Sequence, residues 1–141
     1  MRTVRSYSPT SEAIPAARHC VGAVLKGADP EDVYAIELMV SELATNCVRH
    51  GRTPFELVAD LTPEQLRVEV TDGGPGRPVV QSPSPSEPTG RGLLIVDSLS
   101  DRWGVETASD RPGKTVWFTY RLRLSGLEDP VDRLGLDVQP T

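Results

Sequence analysis

A short polar series within one helical segment is the first feature that could do chemistry. Glu42, Asn46 and His50 follow one another at steps of four residues within 42–51 (ELATNCVRHG), which places them on one stripe of an α-helix. A carboxylate and an amide one turn apart can offer oxygens to Mg²⁺, whose shell phosphates and water then complete. The spacing equally permits a polar helix face, with His50 near the C-terminal end, where positive charge is favoured.

A second candidate begins at Asp72, in the segment 72–76 (DGGPG) that directly follows a strand pattern. Glycines such as Gly74 and Gly76 permit positive φ and let a ligand approach the backbone closely. A carboxylate at the end of a strand can accept hydrogen bonds from an amino group, for example on a nucleobase. A common Asp-Gly turn has the same composition, so this segment alone leaves both interpretations open.

A third candidate, Gly90, Arg91 and Gly92, leads into the apolar run 93–96. A glycine-rich turn before a helix N-terminus offers free N–H groups and a favourable dipole to phosphate. Arg91 adds a permanent positive charge. The alternative is a plain loop-to-helix junction with a solvated arginine.

Two other glycine patterns and the cysteines do not predict a site. Residues 108–115 (ASDRPGKT) fit a loosened P-loop, but a P-loop must open a helix, whereas 116–120 alternate like a strand. Residues 90–95 begin like a dinucleotide fingerprint but lack its third glycine and its preceding strand.

Cys20 and Cys47 lie in helical patterns and are predicted to be buried, reduced thiols. With two histidines in the chain, no zinc cluster is predicted.

Helices and strands of regular pattern are predicted to position these motifs. The predicted helices are 11–26, a helix that begins at Pro30 after the N-cap Asp29 and ends at Gly51, and 92–100. The predicted strands are 2–7, 55–61, 66–71, 102–107 and 115–124. Between them, 72–89 is too rich in proline and glycine for regular structure. This order predicts the α+β class, as a two-layer sandwich with helices on one face of a mostly antiparallel sheet.

Length and charge narrow the class of protein. The 141 residues, 38% of them hydrophobic, suit one domain over 1–124 followed by an acidic tail at 125–141. The net charge of −5 argues against nucleic acid and anionic membranes as partners. No apolar run approaches the roughly 20 residues of a membrane helix, and the N-terminus does not resemble a signal peptide. A cytoplasmic protein is expected.

Taken together and in this order, the three motifs resemble the GHKL superfamily of ATPases (the Bergerat fold), which includes gyrase B, histidine kinases and MutL. More narrowly, the chain resembles the small anti-sigma-factor serine kinases of actinobacteria, from about residue 5 to residue 124. Residues 42–51 resemble the N box, 72–76 match the Asp-x-Gly-x-Gly motif, and 90–96 match the second glycine motif. Residues 113–115 fall where the family has a Gly-Thr-type element.

The resemblance implies ATP and Mg²⁺ as ligands and assigns roles to residues. Asn46 would hold the Mg²⁺ that bridges the phosphates, Glu42 would be the general base on a hydroxyl or water, and Asp72 would accept the adenine amino group. Gly74 and Gly76 would let the base lie close to the backbone. Phosphates would bind at Gly90, Arg91 and Gly92. The Thr115 hydroxyl would support the adenine end.

The function implied by the resemblance is an ATP-dependent serine/threonine kinase in a partner-switching circuit. Its partners would be an anti-sigma-antagonist-like protein and a sigma factor, and the family alone implies a homodimer. The alternative is a catalytically weak ATP-binding regulatory module, since Pro88 and Thr89 stand where relatives often carry an Arg-Ser pair. A detached sensor-kinase domain is less favoured, because the roughly 30 residues before the helix that carries the N box cannot hold a phosphoacceptor helix pair.

Overall fold

The computed structural model describes residues 1–74, 88–107, 109–110 and 112–122. Within these residues, five strands form one sheet and three helices pack on it. The strands are β1 (Arg2–Tyr7), β2 (Phe55–Leu61), β3 (Gln65–Asp72), β4 (Arg102–Thr107) and β5 (Lys114–Arg121). The helices are α1 (Ala13–Val24), α2 (Pro30–Asn46), which continues into a π-helical turn (Cys47–Gly51), and α3 (Pro88–Leu99). The predicted α+β class is confirmed.

The strand order is β1-β2-β3-β5-β4, and every described pairing is antiparallel. The last strand of the sequence therefore lies beside the central strand β3, and α3 connects β3 to the edge strand β4. In this register Asp72, the last residue of β3, faces Lys114, the first residue of β5. Two segments that are far apart in sequence thus meet at one end of the sheet.

One hydrophobic core lies between the helices and one face of the sheet. Along β3, Leu66, Val68 and Val70 are buried while the residues between them are more exposed, as a strand with one covered face requires. All three helices contribute to the same cluster, which includes Ala17, Val21, Ile36, Met39, Leu43, Leu93, Val96 and Phe118. The predicted placement of the helices on one face is confirmed.

The helix that begins at Pro30 and ends at Gly51 has the predicted bounds, but its last turn is π-helical. The Asp29 carboxylate accepts a hydrogen bond from the Glu31 N–H at 2.9 Å, and Pro30 occupies the first turn. At the other end, the Arg52 N–H donates to the Cys47 carbonyl at 3.1 Å, which closes a π-helical turn. Arg52, one residue after Gly51, has the left-handed φ of 57° that ends the helix.

Two element boundaries differ from the prediction. Helix α3 begins at Pro88 rather than at Gly92, because the fixed φ of proline suits the first helical position. Gly90, Arg91 and Gly92 therefore lie inside the first turns of α3 and not in a loop before it. Strand β5 begins at Lys114 and ends at Arg121. The predicted strand residues 123–124, the tail at 125–141 and Gly76 lie outside the described residues.

Candidate functional site

The carboxylate of Asp72 is the centre of a buried polar cluster where β3 ends. Its oxygens accept hydrogen bonds from the Gly74 N–H at 2.8 Å and from the Cys47 thiol at 3.4 Å. The ammonium of Lys114 lies 3.2 Å from Oδ1 and 3.1 Å from Oδ2. The exposed fractions of the two charged side chains are 3% for Asp72 and 10% for Lys114. Because a buried carboxylate without partners is costly, these donors are what allow it to be buried here.

The Cys47 thiol connects this carboxylate to α2. Burial raises the pKa of Cys47 well above its ordinary value, and the negative charge of Asp72 raises it further. The thiol therefore keeps its proton and donates to the carboxylate. Since Cys47 directly follows Asn46, this contact fixes the end of α2 against the end of β3. The structure thus brings the first two predicted motifs together. Cys47 is buried as predicted, whereas Cys20 is partly exposed, and both are free thiols.

Gly92, in the third motif, lies next to Glu42 and Asn46, in the first motif. A Cβ atom added at Gly92 would lie 3.0 Å from Oε1 of Glu42 and 3.6 Å from Nδ2 of Asn46. Helix α3 therefore passes α2 at the point where these two half-buried side chains project. Glu42 and Asn46 share the predicted stripe, but His50 lies on the exposed π-helical turn. The side chains of the residues at 88–91 are not described, so the predicted role of Arg91 stays a prediction.

Gly113 allows β5 to begin directly over the end of β3. Its φ is 108°, a conformation that side chains rarely adopt. A Cβ atom there would overlap the carbonyl oxygen of Asp72 and would lie 3.0 Å from the Cα of Gly73. On the other side, the Gly73 N–H donates to the Thr53 hydroxyl at 2.9 Å. The Asp72–Gly73 backbone is therefore held between β5 and the segment before β2.

The residue that faces Asp72 across the sheet is Lys114, to which no role was predicted, and the role of Thr115 at the adenine end stays a prediction. Thr115 pairs with Thr71, and their hydroxyl oxygens are 2.7 Å apart. Because neighbouring residues of a strand point to opposite faces, the Thr115 hydroxyl lies on the face away from the Asp72 carboxylate. Sequence reasoning missed Lys114, since only the register shows which residue after Gly113 points at Asp72.

An open cavity of about 210 Å³ adjoins this charged pair. It is lined by Thr71, Asp72, Glu106, Thr107, Pro112, Gly113, Lys114 and Thr115.

Among the described residues, no three histidine, cysteine, aspartate or glutamate side chains are grouped to hold a metal. Glu42 and Asn46, one helical turn apart, carry the oxygen ligands that suit an ion such as Mg²⁺ whose other ligands are phosphate and water. None of the described helices has the length and apolar character needed to cross a membrane.

Comparison with known proteins identifies the family and a similar fold. The sequence profile of the "Histidine kinase-like ATPase domain" matches residues 7–120, a range that contains every described site residue. Among 55 solved chains that match, the histidine kinase AdeS of Acinetobacter baumannii superposes with a TM-score of 0.50 at 12% identity. The match covers 87% of this chain and 68% of that one. At this identity the likeness concerns the fold. A search of curated proteins found no matching sequence.

Proposed function

The chain belongs to the histidine kinase-like ATPase domain family, and we propose that the cluster around Asp72, Asn46 and Glu42 is its ATP site. Membership of this family implies ATP binding. The observation that carries the assignment is the meeting of the three motifs. The Cys47 thiol ties α2 to Asp72, and Gly92 brings α3 against Glu42 and Asn46.

Each side chain has a chemical task in such a site. The Asp72 carboxylate can accept a hydrogen bond from the amino group of adenine. Asn46 would hold Mg²⁺, which when bound neutralises charge on the phosphates. Glu42, one helical turn away, can accept the proton of an attacking hydroxyl. The first two turns of α3 contain glycines at 90 and 92, and helix N-termini favour phosphate.

The finer proposal is a serine/threonine protein kinase of the anti-sigma-factor type, which acts in a partner-switching circuit in the cytoplasm. Its substrate would be an anti-sigma-antagonist-like protein, and a sigma factor and a second copy of the chain are the other proposed partners. The supporting features are Glu42 in the position of a base and the resemblance of the motifs. The second candidate, a regulatory module without transfer activity, is favoured by Pro88 at the start of α3, where relatives often carry an Arg-Ser pair.

The test is calorimetric titration of Mg-ATP and Mg-ADP into wild type, Asp72→Asn and Asp60→Asn. Asp60 is a matched control on β2, where it pairs with Arg2 at the surface. A hydrogen bond to a charged group contributes about 1.5–3 kcal/mol, so Asp72→Asn should bind about 10- to 100-fold more weakly and Asp60→Asn as wild type. Absence of binding at millimolar nucleotide would refute the ATP site.

A second variant separates the two candidate functions. Glu42→Gln keeps the size of the side chain but cannot accept a proton. A kinase should then bind Mg-ATP within a few-fold of wild type and lose phosphoryl transfer to its protein substrate by about 10²- to 10⁴-fold. Equal transfer by wild type and the variant would rule out Glu42 as the base.

A further inference from the structure

The acceptor positions of the Asp72 carboxylate are all in use. A carboxylate offers about four lone-pair sites. At Asp72, Oδ1 accepts from the Gly74 N–H and Oδ2 accepts from the Cys47 thiol. The Lys114 ammonium donates to both oxygens. An amino group of a nucleobase can therefore reach this carboxylate only if one of these donors leaves.

Of the three donors, the Lys114 ammonium is the one that can move. The Gly74 N–H belongs to the backbone, and Cys47 is buried where α2 ends. The ammonium is carried on a flexible four-carbon stem and is strongly hydrated in water. Lys114 also lines the 210 Å³ cavity, and its side chain is 10% exposed, so it is not fully enclosed. Its departure breaks no backbone hydrogen bond.

We infer that Lys114 is a base-selecting residue whose ammonium holds the Asp72 carboxylate in place of the base amino group. Nucleotide binding exchanges one donor for another at this carboxylate. A 6-amino purine can make the exchange, because it brings its own N–H donors. A 6-oxo purine such as hypoxanthine lacks this amino group and presents an oxygen at position 6, which the carboxylate repels, so it cannot make the exchange through that position. This inference rests on the proposed ATP site, and it adds the mechanism by which the base is chosen.

The inference predicts that removal of the ammonium tightens binding of ATP and not of ITP. Breaking a charged pair that is largely buried opposes wild-type binding, so Lys114→Met should bind Mg-ATP at least about tenfold more tightly. Lys114→Gln is measured in parallel, because its neutral amide can still donate to the Asp72 carboxylate, which Lys114→Met leaves without a donor in place of the ammonium. Lys114→Arg retains a cation that can pair with both oxygens and should bind ATP no better than wild type.

The chain offers a matched control, because its only lysines are Lys26 and Lys114. Lys26 is exposed after α1, so Lys26→Met should leave both nucleotide affinities unchanged. For the same reason, protein labelled with ¹⁵N-lysine should show two side-chain nitrogen signals. Mg-ATP should shift the Lys114 signal towards that of a hydrated lysine and leave the Lys26 signal in place. A Lys114 signal unchanged at saturating Mg-ATP would overturn the exchange.

The outcomes distinguish this inference from the proposed function. If wild type binds Mg-ATP and Lys114→Met binds it equally or more weakly, Lys114 is not displaced and the inference alone fails. If ATP and ITP both tighten to the same extent, the variant has merely loosened the pocket, and base selection by Lys114 is again wrong. If neither wild type nor any Lys114 variant binds nucleotide at millimolar concentration, the ATP site itself is refuted, and this inference with it.

Discussion

Replacement of Gly92 by alanine should separate stability from activity at the contact between α2 and α3. The added Cβ would lie 3.0 Å from Oε1 of Glu42, and ordinary contact begins at about 3.4 Å. The carboxylate must therefore retreat by roughly 0.4 Å, the difference between these distances. Nδ2 of Asn46, at 3.6 Å, already lies at an ordinary contact distance and need not move. The substitution thus displaces the proposed base and spares the proposed metal ligand.

The expected change in unfolding free energy is small because two effects oppose each other. Within a helix, alanine is more favourable than glycine by about 1 kcal/mol. A side chain pushed off its rotamer costs about 0.5–1.5 kcal/mol. The net change for Gly92→Ala is therefore expected to lie within about 0.5 kcal/mol of wild type, as measured by urea denaturation.

The expected change in turnover is larger. Misplacement of a reacting group by about 1 Å can lower a rate by about 10², so a displacement of roughly 0.4 Å at Glu42 should lower Mg-ATP turnover by about tenfold. Nucleotide affinity should stay within about twofold. Turnover is measured as release of ADP at saturating Mg-ATP.

Gly22→Ala is the matched control for this change. Gly22 is also a helical glycine, and its added Cβ would meet the end of the Glu37 side chain rather than that of Glu42. This variant should retain wild-type turnover. Wild-type turnover in Gly92→Ala, or a loss of more than 2 kcal/mol of stability, would show that the contact does not position Glu42 in the way described.

Two further predictions concern the residues around Asp72. Gly113→Ala should lower the unfolding free energy by about 1–3 kcal/mol, because the residue has a φ of 108° and alanine would strain it; a variant as stable as wild type in urea would contradict the close passage of β5 over Asp72. For Cys47, the folded pKa is raised above the ordinary 9.0, so the folded chain retains a proton that the unfolded chain releases above that pH. Stability should therefore be insensitive to this thiol below pH 9 and fall as pH rises above it. Cys47→Ala should lack this component of the alkaline loss, and identical pH profiles for variant and wild type would contradict the buried thiol.

Predictions from the sequence were correct for the features of the fold that depend on residues close together in the chain. The alternation of Leu66, Val68 and Val70 marks the covered face of β3, and Asp29 with Pro30 marks the start of α2. The two-layer class follows from the order of such segments. These features depend on residues that are neighbours in the chain, so one sequence is enough to predict them.

The site depended on information that a single sequence does not contain. Thr115 and Lys114 are adjacent, and which of them faces Asp72 depends on the register between β3 and β5, which are separated by α3 and β4. The π-helical form of the turn that continues α2 could not be predicted, for a different reason. The π-helical turn at Cys47–Gly51 carries the thiol to Asp72, and such turns have no simple sequence signature, although they are frequent at functional sites.

The same contact that buries the Asp72 carboxylate also limits what a nucleotide can gain there. A largely buried carboxylate and ammonium each lose hydration, and removal of one partner leaves the other uncompensated. Lys114 therefore stabilises the fold at the cost of occupying the position that the base amino group needs. A base that replaces the ammonium exchanges one donor at the carboxylate for another, so this contact contributes less affinity than it would in a site without Lys114.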